Sequence, residues 1–231
     1  PETPWLGAHQ PSSVMALHQF LSENPLGYCR SFGVPRAVVT QAARRFVMTL
    51  MDEYARSKGK RRWAEKTPDN LMHLEFLAEL FPQAAFIHLV RDALDTAIST
   101  SIISPHRRAI SDWHEKYLLL GPECRLENNL FNAVLRWNHW NRRVDELLDN
   151  HRLLRVSYER LVREPLSVLR SVFDFIEEPF DASILDYARF EHDLPDWEWG
   201  SADVKRFDRI TEDRIGRAGE ISAIERDLLL P

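Results

Sequence analysis

Residues 84–103 read AAFIHLVRDALDTAISTSII, and this stretch decides the fold. Its first part, Ala84–Val90, is almost continuously apolar, which is typical of a parallel strand buried on both faces. The run stops at Arg91 and Asp92, and the Asp92 carboxylate is suited to cap a following helix. From there on, leucine, alanine and isoleucine recur at helical spacing. The stretch therefore predicts a strand, a polar edge and a helix in direct succession.

The segments on either side continue the same alternation of short strands and helices. Strands and helices are predicted for five further segments: strands over Arg62–Lys66 and Leu153–Ser157, and helices over Ala37–Ser57, Glu127–Asn150 and Glu164–Glu177. Short strands separated by helices predict an α/β fold with a parallel sheet flanked by helices and right-handed connections. Because no repeat or linker divides the sequence, we expect a single domain over residues 1–231.

The composition excludes several classes of protein and partner. With 44% hydrophobic and 28% charged residues, the chain has the profile of a globular domain. Its net charge of -5 argues against a nucleic-acid partner, and no apolar run is long enough for a membrane span. Cys29 and Cys124 match no metal or redox spacing, nor do the histidines, so no metal is expected. The cysteine content and the lack of a signal peptide favour the cytoplasm.

Three polar pairs lie at the carboxyl ends of predicted strands, where the ligands of parallel sheets bind. These pairs are Glu65-Lys66, Arg91-Asp92 and Ser157-Tyr158. Arg91 lies where the next helix presents its free N–H groups, which favours an anion, and Ser99 follows about two helical turns later. From the residues alone, a second interpretation stays open: Arg91 pairs with Asp92 or Asp95, and Ser99 is solvated. His88, within the apolar run, is expected to be a satisfied core histidine.

Three blocks of sequence, in the same order, resemble the sulfotransferase family. FIHLVRDALDTAIS (86–99) resembles its 3′-phosphate segment, an apolar strand followed by R-D-x-x-D-x-x-x-S. WAEKTPDNLMHLEFLAELFPQAAF (63–86) is similar to the W-x-E-K-T-P…L…FP stretch upstream, and RVSYERLVREPLSVLRSVFDFI (155–176) resembles the later Y-E-x-L…P…L…F-I/L block. The resemblance implies a nucleotide-kinase-like, P-loop-type fold. It also implies transfer of a sulfuryl group from 3′-phosphoadenosine-5′-phosphosulfate (PAPS) to a hydroxyl or amine acceptor.

The resemblance assigns expected roles to individual residues. Arg91 and Ser99 would hold the 3′-phosphate of the donor, and Tyr158 would lie near its adenine. Glu65 would be the base that deprotonates the acceptor, with Lys66 supporting the sulfate or the acceptor. DRIGRAGE (213–220) is similar to the family's G-R-W-R ending, so Arg217 would close over the donor, although Ala218 replaces the aromatic residue. The alternative for Glu65 is an ion pair with Arg61, Arg62 or Lys66, and Tyr158 by itself could be a core aromatic.

The loop that cradles the phosphosulfate is not found in this sequence. Neither P-R/K-S-G-T nor a Walker-type G-x-x-x-x-G-K-S/T motif is present, which also disfavours a nucleotide kinase. The expectation is therefore a chain that lacks this loop and the central first strand, and that is inactive by itself. The alternative is a non-catalytic nucleotide-binding or scaffold homologue that retains only the 3′-phosphate half-site.

Overall fold

The computed structural model describes residues 28–66, 68–103, 129–147, 151–189 and 210–220. The described residues belong to two compact units. The first lies within Pro1–Ala84 and Asp149–His151, and the second within Ala85–Leu148 and Arg152–Pro231. In the described part of the chain, no helix is both long and apolar enough to cross a membrane. The single domain expected from the sequence stays a prediction.

The first unit is helical in its described part. It contains α1 (Tyr28–Ser31), α2 (Arg36–Ser57), a 3₁₀ helix (Pro68–His73) and α3 (Leu74–Leu80). One stripe of α2 is buried, with Val47, Met51 and Ala55 at helical spacing, and the helix predicted over Ala37–Ser57 is confirmed. The Arg36 guanidinium joins α2 to α3 by donating to the Glu79 carboxylate from Nε (2.9 Å) and Nη2 (2.7 Å).

The strand predicted over Arg62–Lys66 is wrong. The segment has no regular secondary structure and pairs with no strand in the described residues. Its aromatic side chain, Trp63, contacts other residues of the first unit instead. The Trp63 indole N–H donates to Asp52 at 3.0 Å, and the Trp63 ring meets the Phe81 ring edge-on with 5.8 Å between the ring centroids. A strand is stabilised by its neighbours, and this segment packs against helices.

The second unit contains the sheet and most of the described helices. Its elements are β1 (Phe86–Val90), α4 (Ala93–Ile103), α5 (Asn129–Leu147), β2 (Leu153–Ser157), α6 (Tyr158–Arg163), α7 (Pro165–Ile176) and 3₁₀ helices at Ala182–Arg189 and Arg217–Glu220. The two strands are parallel and hydrogen-bonded neighbours, with Phe86 opposite Leu153 and Val90 opposite Ser157. Both strands therefore end at the same edge, and the predicted parallel α/β arrangement is confirmed.

The apolar run that predicted β1 is buried on one face only. Ile87 is 46% exposed and Leu89 is 51% exposed, whereas the alternate residues of the strand are half-buried. Successive side chains of a strand point to opposite faces, and the described part of the second unit covers one of these faces. The prediction of a parallel strand is confirmed, but that of full burial is wrong.

The helices that follow the strands begin at identifiable caps. Asp92 Oδ1 accepts the N–H of Asp95 at 2.9 Å, so the predicted cap of α4 is confirmed. At the end of β2, the Ser157 hydroxyl accepts the N–H of Arg160 at 3.2 Å and caps α6, which the sequence analysis missed. The core between α4 and α5 is built from Leu94, Ala97, Ile98 and Val134.

His88 lies in the middle of β1, opposite Arg155. Its Nδ1 is buried and has no hydrogen-bond partner among the described residues, so the expectation of a satisfied histidine is wrong. Burial lowers its pKa from 6.5 to about 4, helped by the Arg155 charge and opposed by that of Asp145. The folded protein therefore keeps His88 neutral well below the pH at which the unfolded chain protonates it.

This pKa predicts how stability depends on pH. The unfolded chain takes up the His88 proton below pH 6.5, whereas the folded chain does so only near 4. The free energy of unfolding should thus be fully maintained above pH 6.5 and fall as the pH is lowered toward 4. Urea unfolding of the His88→Gln variant should give a flatter pH dependence over this range. Parallel curves for the two proteins would contradict the prediction.

Candidate functional site

The carboxyl ends of β1 and β2 bring two of the predicted residues together. Arg91 directly follows β1, and Tyr158 directly follows β2 as the first residue of α6. Because Val90 and Ser157 are partners in the ladder, these two residues emerge side by side. The Arg91 Cζ lies 5.1 Å from the centroid of the Tyr158 ring, within the range of a cation–π contact.

Arg91 is held by contacts of both its side chain and its main chain. Its Nη2 donates to the main-chain carbonyl of Arg214 and lies 3.9 Å from Asp95 Oδ2, while its own main-chain carbonyl accepts the Trp137 indole N–H at 2.9 Å. The Nε of Arg91 is buried without a hydrogen-bond partner among the described residues. The Arg91–Asp95 pairing left open by the sequence is therefore present, but it leaves a donor of the guanidinium available.

Glu159 links the two strand ends. Its carboxylate accepts the N–H of Asp92 and the hydroxyl of Ser157, both at 2.8 Å. Partial burial raises the pKa of Glu159, but these hydrogen bonds and the nearby Arg91 charge outweigh that effect and lower it overall. The carboxylate is thus ionised at neutral pH and fixes the start of α4 against the start of α6.

A stretch of chain near the C-terminus, which we call the 211–217 segment, packs against this edge. Asp95 accepts two consecutive backbone N–H groups from it, Gly216 at 2.8 Å and Arg217 at 2.7 Å. The turn requires a positive φ of 75° at Gly216, a conformation that glycine adopts readily. The Arg217 side chain donates to Glu220 from Nε (2.7 Å) and Nη2 (2.6 Å), and these bonds raise the pKa of Arg217.

Ser99 lies on α4 and is half-buried. Arg91, Asp95 and Ser99 follow one another at intervals of four residues, which places Asp95 and Ser99 on one face of the helix. The 211–217 segment binds Asp95 on this face. Arg91, Ser99, Tyr158 and Arg217 all belong to the second unit, although their predicted contacts with a nucleotide remain predictions.

Glu65 and Lys66 belong to the first unit, in the irregular segment before the 3₁₀ helix. The Asn70 side-chain N–H donates to the Glu65 carboxylate. The side-chain oxygen of Asn70, Oδ1, is buried and has no hydrogen-bond partner among the described residues. Lys66 is exposed. The structure thus orients Glu65 through Asn70, and the catalytic roles of Glu65 and Lys66 stay predictions.

Several residues that contact the predicted site residues within each unit were not singled out by the sequence analysis. Glu159 could have been found, because an acidic residue two positions after a strand end can cap the neighbouring helix. Asn70 follows Glu65 by five residues within one motif. Asp95 bonds Gly216 and Trp137 bonds Arg91. These contacts could not be predicted from neighbouring sequence, because the partners lie 121 and 46 residues away in the chain. Among the described residues, no group of three or more potential ligands could hold a metal ion.

Comparison of the sequence with known proteins gives one consistent result. The model of the family described as "Sulfotransferase family" matches residues 16–182. Protein-tyrosine sulfotransferase A of Caenorhabditis elegans is 28% identical over 171 residues, which cover 72% of this chain and 40% of that protein. The protein-tyrosine sulfotransferase of Drosophila melanogaster is 22% identical over 182 residues, covering 75% of this chain and 32% of that protein. The chain spans less than two thirds of the length of these relatives.

A solved structure supports the fold. The sulfotransferase domain from the curacin biosynthetic pathway matches with a TM-score of 0.50 and 18% identity, covering 78% of this chain and 60% of that domain. At this identity the likeness shows the fold alone. The fold predicted from the strand and helix pattern and from the three sequence blocks is thereby confirmed.

Proposed function

Because the chain belongs to the sulfotransferase family, we propose that the whole protein transfers a sulfuryl group from PAPS to a hydroxyl or amine acceptor. The observation that carries the proposal is the buried Nε of Arg91 at the carboxyl end of β1, which has no hydrogen-bond partner within the described ranges of the chain. An arginine binds a carboxylate or phosphate through two donors on one edge. Arg36 and Arg217 both do so here, using Nε and Nη2 on a carboxylate.

Arg91 could offer the same edge to the 3′-phosphate of the donor. Its Nη2 is directed at a neutral carbonyl, that of Arg214, and its Nε has no acceptor among the described residues. A phosphate would satisfy the buried Nε, which is costly to leave unpaired. In this proposal Ser99 adds a hydroxyl donor from α4, Arg217 adds a cation from the 211–217 segment, and Tyr158 lies near the adenine.

The chemistry of transfer assigns the remaining roles. The acceptor oxygen or nitrogen forms a bond to sulfur as the bond from sulfur to the donor's phosphate oxygen breaks, releasing adenosine 3′,5′-bisphosphate. The acceptor proton must go to a base, and we assign this role to Glu65, which Asn70 orients. Lys66 would stabilise the charge on the moving sulfuryl group or hold the acceptor.

The proposal is tested by incubating the full-length protein with PAPS and acceptors of different classes. Release of 3′,5′-bisphosphate should require an acceptor and should match the sulfated product one to one. The names of the relatives make a tyrosine hydroxyl in a protein one acceptor to include, beside small alcohols, carbohydrates and amines. Tight nucleotide binding without transfer to any acceptor would favour the non-catalytic alternative. A cytoplasmic location stays a prediction that fractionation of cells would check.

A further inference from the structure

Asp95 is a buried carboxylate in a site proposed to bind an anion. Its side chain is 2% exposed and lies between Arg91 and the 211–217 segment. A carboxylate at this depth is costly unless its charge is compensated. Here both oxygens accept backbone N–H groups, Gly216 on Oδ2 and Arg217 on Oδ1, and Oδ2 also lies 3.9 Å from the Arg91 Nη2.

We propose that Asp95 is a positioning residue that fastens the 211–217 segment to α4 and so keeps the Arg91 side chain in place for the phosphate. The phosphate part of this inference rests on the proposed function, whereas the fastening rests on the hydrogen bonds alone. Among the described residues, the contacts that join the segment to the rest of the second unit include Glu212 on Arg163, the Arg214 carbonyl on Arg91, and the two N–H groups on Asp95. Only the last of these contacts is made by a fully buried side chain.

The direction in which phosphate affinity changes on removal of the Asp95 charge distinguishes the positioning role from a purely electrostatic effect. A negative charge near Arg91 opposes the binding of another anion, so its removal should tighten phosphate binding if charge alone mattered. If Asp95 acts by fastening the segment, its removal should weaken phosphate binding instead. Replacement of Asp95 by asparagine keeps the shape of the side chain but replaces one acceptor oxygen with an amide NH₂ group. This donor then faces a backbone N–H, and two donors cannot form a hydrogen bond.

The experiment compares Asp95→Asn with the unmodified protein, both at full length. Hydrogen exchange of the peptide covering residues 210–220 should become faster in the variant, because one of the two backbone amides loses its acceptor. The affinity for adenosine 3′,5′-bisphosphate should fall about tenfold, the lower end of the effect of a charged hydrogen bond. Binding of 5′-AMP, which lacks the 3′-phosphate, should change little. In the unmodified protein the bisphosphate should slow exchange of this peptide, and in the variant this protection should be weak.

Two further variants keep the test decisive. Gly216→Ala leaves the Asp95 charge intact and its Cβ would meet no atom within 4 Å, yet it strains the turn at φ 75°. It should shift exchange and binding in the same direction as Asp95→Asn, and it replaces that variant if asparagine prevents folding. Glu212→Gln is the matched control, because it removes the exposed ion pair between Glu212 of the same segment and Arg163. An exposed ion pair contributes little to stability.

The outcomes distinguish the inference from the proposed function. Tighter bisphosphate binding in Asp95→Asn, or equal losses for the bisphosphate and 5′-AMP, would overturn the positioning role. Unchanged exchange of residues 210–220 would overturn the fastening itself. Faster exchange in the variant, with neither nucleotide binding to the unmodified protein, would support the fastening and overturn the proposed ligand.

Discussion

Glu65→Gln should lower the turnover of the full-length protein by about 10²–10⁴-fold, the usual contribution of a positioned general base. Glutamine keeps the size of the side chain and can still accept the hydrogen bond from Asn70, but it takes no proton from the acceptor. The affinity for the donor nucleotide should therefore stay nearly constant. Initial rates of sulfate transfer, together with calorimetric titration of the bisphosphate, measure the two quantities separately.

Glu53→Gln is a suitable control for this experiment. Glu53 is an exposed residue of α2 in the same unit, paired with Arg56 one turn away, so the same chemical change there should leave turnover unaltered. A Glu65→Gln variant with near-normal turnover would move the base role to another residue, with His73 and His88 as the next to replace.

Arg91→Ala should weaken binding of adenosine 3′,5′-bisphosphate by about 1.5–3 kcal/mol, the range for a hydrogen bond to a charged group. This corresponds to a loss of about 10- to 150-fold in affinity. Binding of 5′-AMP should hardly change, because the site of Arg91 is assigned to the phosphate that 5′-AMP lacks. Calorimetry with both ligands gives the two affinities directly.

Arg155→Ala controls for the loss of an arginine from the same sheet. Arg155 lies within β2, away from the carboxyl edge, and pairs with Asp145. Its replacement should leave the ratio of the two affinities unchanged. Equal losses for bisphosphate and 5′-AMP in Arg91→Ala would show that Arg91 supports the site in general and does not bind the 3′-phosphate.

The parts of the fold that the sequence predicted correctly are those encoded locally. The apolar run before Arg91 predicted β1, and the Asp92 side chain predicted the cap of α4, since each depends on neighbouring residues only. The strand expected over Arg62–Lys66 failed for a non-local reason: Trp63 packs on Phe81 and bonds Asp52 in α2. The short helix α6 was missed, although Ser157 before Tyr158 is an ordinary capping residue.

The sequence named candidate site residues, whose roles stay predictions, but it did not predict the contacts that hold them. The resemblance to sulfotransferases pointed to Arg91, Tyr158 and Arg217, which the structure places in one unit around the carboxyl edge of the sheet. The contacts that hold them come from distant parts of the chain, as with Asp95 and the backbone of Gly216. Nothing in the local sequence distinguishes a buried carboxylate that accepts two backbone N–H groups from a solvated helical one.

The central claim is that the edge formed by Arg91 binds a phosphate on the 3′ position of an adenine nucleotide. Its most direct test is calorimetric titration of the unmodified full-length protein with adenosine 3′,5′-bisphosphate, adenosine 2′,5′-bisphosphate and 5′-AMP. We expect the 3′,5′ isomer to bind at least about tenfold more tightly than either of the others, the effect of one charged hydrogen bond or more. Equal affinities for the three nucleotides would contradict the account.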